Sequence, residues 1–248
     1  MKYKGLLALV GGLLIIGSLC LAEPLLVPSP EEYTLEYAVN FQKTANTTLA
    51  PVYAPLAQQI TEDFKLHDKR GIGVDLGSGP GNLIVELCKV TQNMHWVNAD
   101  INPFFFPIFY KAAEEAEFGH RVSAIFADSQ ALPFRDNYAD IVVSRGSFHF
   151  WDDEEKAFGE IYRVLKPEGT AFIGRGFSRN MPVEIAKAVR SRQGKGKGGM
   201  PKYSVSDTAD ELKGIMESLN IEDYRIHTPT PPDSDGVNYG IWLEFHKK

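Results

Sequence analysis

The chain has 248 residues, 44% of them hydrophobic and 23% charged, a globular balance with enough length to bury a full core. Its net charge of −6 and pI near 5.6 leave no electrostatic footprint for nucleic acid, and none is expected as a partner. Cys20 and Cys88 fall in an N-terminal apolar run and a helical stretch, which argues against a disulfide. No Cys or His cluster has metal-ligand spacing, so no metal site is expected.

Lys2 and Lys4 precede an apolar or small-residue stretch from Gly5 to Ala22, followed by Glu23 and by Pro24, Pro28 and Pro30. This reads as a signal peptide cleaved near Ala22, or as an uncleaved N-terminal apolar helix of about 18 residues, just long enough to span a bilayer. Four acids (Glu23, Glu31, Glu32 and Glu36) come before Lys43, so the positive-inside rule puts the rest of the chain outside. The expected organisation is residues 1–22 as signal or anchor, 23–66 as linker and helical cap, and 67–248 as one α/β domain.

From Tyr33 to Lys65 the apolar spacing is helical, with breaks expected at Pro51 and Pro55. Gly71 to Val74 is a strand that leads into Asp75-Leu76-Gly77-Ser78-Gly79-Pro80-Gly81 and then an amphipathic run through Leu83, Ile84, Leu87 and Cys88. Strand, glycine turn and helix place backbone N–H groups and a helix N-terminus against a ligand. His95 to Ala99 is a second strand ending at Asp100, and a helix is expected from Asn102-Pro103 to about Phe118. Further strands are expected at Val122–Phe126, Asp140–Ser144 and Thr170–Ile173. Between the last two, a helix capped by Asp152 or Asp153 ends at Lys166-Pro167-Glu168-Gly169.

Helices over Met181–Val189 and Asp207–Leu219 precede two strands, Tyr224–His227 and Tyr239–Phe245. The short connection between those strands favours antiparallel pairing. A glycine-rich segment, Gln193 to Gly199, together with Arg190, Arg192, Lys195 and Lys197, reads as a mobile loop, with an anion-binding flap as the alternative. The sum is a Rossmann-like, doubly wound, mostly parallel seven-stranded sheet with an antiparallel C-terminal hairpin.

Asp75, Asp100 and Asp128 close the first three strands, at the sheet edge where open parallel sheets bind ligands. An acid about 20 residues beyond a glycine turn suits a ribose diol and is shared by NAD-dependent oxidoreductases. Here, though, the turn is preceded directly by Asp75, which repels pyrophosphate and suits a cationic ligand.

Asp75 to Gly81, Ala99-Asp100-Ile101-Asn102, Ala127-Asp128-Ser129, Leu132-Pro133-Phe134 and Arg163 to Gly169 together resemble the motif series of class I S-adenosylmethionine-dependent methyltransferases. The likeness runs from about Tyr53 to Phe177 and is closest to small-molecule enzymes with an R-V-L-K-P-G-G element, in which Glu168 here replaces the first glycine. The resemblance implies S-adenosyl-L-methionine as cofactor. It places Gly77, Ser78, Gly79 and Gly81 at the methionine portion and Asp75 at its cationic end. Asp100 falls to the ribose, Ile101 to the adenine face, and Asp128 with Ser129 to the adenine edge.

Ser144, Arg145, Ser147, His149 and Trp151 follow the fourth strand on the acceptor side. His149 is the candidate base, and Arg145 either binds an acidic group or pairs with Asp128 or Asp140. A sulfonium donor needs chiefly an aligned nucleophile and excluded water. A small-molecule, lipid or quinone-like acceptor is expected, with the protein a monomer or homodimer. The competing reading is an exported module that binds S-adenosylmethionine or a nucleoside without turnover.

Overall fold

The computed structural model describes residues 33–193 and 203–248. The expected leader or anchor, 1–22, and Lys195 and Lys197 of the glycine-rich segment lie outside the described residues.

Seven strands form one sheet: β1 (Arg70–Leu76), β2 (Asn93–Asp100), β3 (Val122–Phe126), β4 (Ala139–Arg145), β5 (Leu165–Gly176), β6 (Tyr224–His227) and β7 (Gly240–His246). Their order is β3-β2-β1-β4-β5-β7-β6. β1 to β5 pair in parallel, whereas β7 runs antiparallel to both β5 and β6, as the short Thr228–Gly236 connection requires. The fold is therefore the expected Rossmann-like sheet with a C-terminal hairpin.

Helices cover both faces: α1 (Leu35–Asn46), α2 (Ala50–Asp63), α3 (Asn82–Val90), α4 (Phe105–Glu115) and α6 (Val183–Gln193) on one, α5 (Glu154–Val164) and α7 (Val205–Ser218) on the other. Strand periodicity divides the core accordingly. Val143 and Phe172 face Leu56, Leu87 and Val189, while Val142 and Ile173 face Phe158, Ile161, Leu212 and Met216. Gly73 in β1 leaves room for the Trp96 indole, since a Cβ there would lie 2.3 Å from its ring.

Several boundaries differ from the sequence expectation. Pro55 does not break a helix: α2 runs through it, and the interruption falls at Thr47–Leu49 instead. Pro55 lies near the N-terminal end of α2, so its missing N–H costs a single helical bond, while Val52, Leu56 and Ile60 bury their side chains around it. Helix α4 starts at Phe105, because Asn102 Oδ1 accepts from Phe104 N and holds the preceding residues in a turn. It ends at Glu115, short of the expected Phe118. Met181 sits in the core ahead of α6, and Arg190 and Arg192 belong to the last turn of α6 and not to a loop.

The Lys166–Gly169 turn is absorbed into β5 as an irregularity, Ala139 pairing with Leu165 and Ile141 with Thr170. Glu168 takes φ +65° there, the left-handed region in which the resembled family's glycine carries no penalty.

Candidate active site

The glycine turn is fixed by side chains from two other strands. Asp100 ends β2 and accepts from Gly79 N at 2.7 Å and from Asn102 N at 2.8 Å. Asn98, one pleat earlier on the same side, donates through Nδ2 to Gly79 O at 3.0 Å. The Gly79 peptide is thus held on both sides by β2. From β4 and the turn after it, Ser144 Oγ (2.6 Å) and Ser147 Oγ (3.1 Å) both donate to the Leu76 carbonyl. Ser147 packs so tightly that a Cβ on Gly77 would lie 2.4 Å from its own Cβ. Gly77, Gly79 and Gly81 all have positive φ, and a Cβ on Gly81 would lie 2.0 Å from the Phe109 ring.

A cleft of about 500 Å³ opens at these strand ends. Leu76, Gly77, Gly79, Asp100, Ile101, Asp128, Ser129 and Arg145 all line it. So do Ser147 and Trp151, and Phe105 at the start of α4. Sequence reading missed Tyr33, Tyr37 and Phe41 from the first helical segment, Gln130, and Phe150 beside Trp151. It also missed the Asn98 clamp. A helix-period pattern in α1 carries no sign of which strand ends that helix will cover.

Other expected site residues stand behind the wall. Asp75 is buried and accepts from Ser78 Oγ at 2.7 Å, beneath the turn and not in the cleft lining. Gly81 lies under Phe109, and Ser144 is spent on the Leu76 carbonyl. His149 also lies off the cleft lining, with its ring centroid 4.1 Å from that of Phe150 and a buried Nδ1 that has no partner.

The electrostatics follow from burial. Desolvation pushes the Asp75 carboxyl up to about 7; the Ser78 hydrogen bond opposes this and the charge on Asp100 adds to it. Asp100 rises to about 6 for the same first reason, restrained by its backbone N–H donors. Burial, and then the Arg175 charge, press His149 down to about 4, so its imidazole is neutral at pH 7. Arg145 has neither expected ion pair: Asp140 accepts from Lys166 Nζ at 2.7 Å, and Asp128 accepts from Gln130.

A glycine cradle, an acid at the end of β2 and a second acid after β3, facing one cavity, can hold a cationic amino acid joined to a nucleoside. A family model for a methyltransferase domain matches residues 74–173. A solved protein of Methanococcus maripaludis, described as an S-adenosyl-L-methionine-dependent methyltransferase, superposes with a TM-score of 0.75 at 26% identity, covering 88% of this chain and 95% of the other. Residues 74–173 form a methyltransferase domain, and the chain is similar to class I S-adenosylmethionine-dependent methyltransferases.

Among curated relatives of this methyltransferase, a demethylmenaquinone methyltransferase of Thermus thermophilus is 38% identical over 96 residues, 39% of this chain and 43% of the relative. The mitochondrial arginine-hydroxylase NDUFAF5 of Homo sapiens is 28% identical over 175 residues, 70% of this chain and 47% of the relative. The matches thus span less than half the length of these relatives. The family's cofactor, S-adenosyl-L-methionine, meets a cradle whose parts suit it: glycine backbone open to close approach, a carboxylate for a diol and an acid for an exocyclic amine.

Proposed function

We propose that this chain transfers the methyl group of S-adenosyl-L-methionine to a small-molecule acceptor bound beside the cofactor. The observation that carries the reading is the convergence of Gly77, Gly79, Asp100, Ile101, Asp128 and Ser129 on one cleft that is also lined by aromatic side chains. In this reading Asp100 accepts from the ribose hydroxyls, Ile101 lies on the adenine face, and Asp128 and Ser129 read its edge. Asp75 acts from beneath the turn, fixing Ser78 and adding negative charge under the methionine end. The sulfonium supplies the activated methyl. Phe150, Trp151 and Phe105 exclude water, and alignment of acceptor and methyl does most of the work. A proton released on methylation passes to solvent or to neutral His149, whose ring lies beside the cleft residue Phe150.

The demethylmenaquinone enzyme among the relatives supports a ring-bearing or quinone-like acceptor. Residues 5–22, as an anchor, would hold the domain at the membrane where such acceptors reside. No helix among the described residues is long and apolar enough to cross a membrane. A reporter fused after Lys248, read with the mass of the mature N-terminus, decides between an inward-facing anchored enzyme and an exported domain.

Calorimetric titration of the full chain with S-adenosyl-L-methionine, followed by detection of S-adenosyl-L-homocysteine on adding quinol acceptors, tests the activity. Lack of cofactor binding would sink the proposal. Binding without turnover across acceptor classes would favour the non-catalytic module, and a response to NADH alone would favour the oxidoreductase.

A further inference from the structure

The acceptor side of the cleft has a charge character that the cofactor does not explain. Arg145 lines the cavity at the end of β4, its Nε buried and without a hydrogen-bond partner. Its guanidinium carbon lies 5.6 Å from the centre of the Tyr53 ring, and both acids expected to neutralise it are committed elsewhere.

A second guanidinium stands at the end of the adjacent strand. Gly174, the register partner of Arg145, precedes Arg175, which is 6% exposed. Arg175 lies 3.7 Å from the Tyr203 ring centre, and its Nε and Nη2 have no partner. Arg190 of α6 approaches the same strand ends. It donates to Asn238 O at 3.0 Å, rests over Phe177, and is close enough to disfavour the charge on both other arginines. Asp75 is the acid whose charge reaches Arg145, and it is bound to Ser78.

Guanidiniums remain charged throughout the physiological range, and a buried unpaired charge costs several kcal/mol unless something compensates it. The same lining carries Asp100, Asp128 and Asp152 as acids, Arg145 as its cation, and Phe105, Phe150 and Trp151 as aromatic surface.

We propose that the methyl acceptor carries an anionic head group, a carboxylate or phosphate, seated against Arg145 at the cleft wall and held in the positive field of Arg175 and Arg190, with its apolar body against Phe150 and Trp151. Planar guanidiniums suit such oxyanions because they offer paired N–H donors. This rests on the methyl-transfer reading and favours an anionic acceptor over the uncharged quinone-like one.

The test uses the full chain in two arms. Titration with S-adenosyl-L-homocysteine reads the cofactor site alone, and its failure would count against the methyltransferase reading. Protein saturated with that ligand is then titrated with benzoate, inorganic phosphate and, as the uncharged control, benzamide. At least one anion is expected to bind tenfold or more tighter than benzamide. Arg145→Gln should weaken that anion at least tenfold, and Arg175→Gln, which lies outside the cleft lining and removes only a more distant charge, by a smaller factor, while S-adenosyl-L-homocysteine affinity stays within twofold in both. Arg145→Lys, which keeps the charge and loses the fork, should fall between wild type and Arg145→Gln.

Because each Gln variant removes an uncompensated charge, thermal melting of the free protein should not fall. A lower melting temperature together with unchanged anion affinity would make the arginines structural and overturn the inference. Equal binding of benzamide and both anions would overturn it too, leaving the cofactor reading intact. If the anions instead compete with S-adenosyl-L-homocysteine, and Arg145→Gln weakens that ligand tenfold, Arg145 holds the cofactor's own carboxylate and the proposal falls.

Discussion

Replacing Asp100 by Asn keeps the shape of the side chain at the end of β2 but removes half of what its carboxylate does. The carboxylate accepts Gly79 N at 2.7 Å on one oxygen and Asn102 N at 2.8 Å on the other. A carboxamide has one accepting atom, so its NH2 must face one of those N–H groups, and the diol loses a charged acceptor. Hydrogen bonds to charged groups contribute about 1.5–3 kcal/mol, which predicts roughly a 10- to 150-fold loss of S-adenosyl-L-homocysteine affinity at pH 7. A second signature separates this from loose folding. Free Asp100 titrates at about 6, and cofactor binding favours its ionised form. Wild-type affinity should therefore fall about tenfold from Asp100 alone between pH 7 and pH 5, and this increment should be missing from the variant. Calorimetry at the two pH values, with melting curves to establish folding, reads both effects. Affinity within twofold of wild type at pH 7, or an identical pH dependence in the two proteins, would refute the assignment.

Asp75, raised to about 7 from an unfolded value of 3.8, binds its proton more tightly in the folded state. Its contribution is fully present below pH 3.8 and lost as pH rises through 7. Urea unfolding of the cofactor-free protein should show stability falling over that window by a few kcal/mol, and Asp75→Asn should flatten the decline. Gly81→Ala would drive a Cβ to 2.0 Å from Phe109 at φ +78°, and a loss of about 2–4 kcal/mol is expected in the same assay. Arg163, within the Arg163–Gly169 element, donates to Phe134 O, Leu132 O, Asp136 and Glu160. Arg163→Ala should cost about 2–3 kcal/mol and open the 132–136 loop to proteolysis, with turnover lost only as far as folding is. Glu168→Gly should stabilise by about 0.5–1 kcal/mol, since relief of the left-handed backbone outweighs the entropy of glycine, and melting curves would show it.

Much of the architecture could be read along the chain because it depends on local periodicity. Alternating apolar runs with turn residues between them specify strands and helices wherever they pack. The connection after β6 is too short for anything but an antiparallel partner. The acids at the strand ends and the glycine turn were legible for the same reason: position within a β-α unit sets position at the sheet edge. Other features depend on strand order and packing, which no local spacing records. Sequence could not show that Asp75 lies beneath the turn while Asp100 faces the cleft. It could not show that Asn98 clamps Gly79, because that bond spans two strands. Pro55 looked like a helix breaker until tertiary burial of Val52, Leu56 and Ile60 overrode it. Arg145 offered two plausible acids on paper, and only the three-dimensional assignment of Asp140 to Lys166 and of Asp128 to Gln130 left it unpaired at the cleft wall. The chain itself determined the cofactor end of the site, where backbone turn and strand terminus are local features. The acceptor end was decided by the tertiary structure, since it is assembled from a helix and two strands distant in sequence.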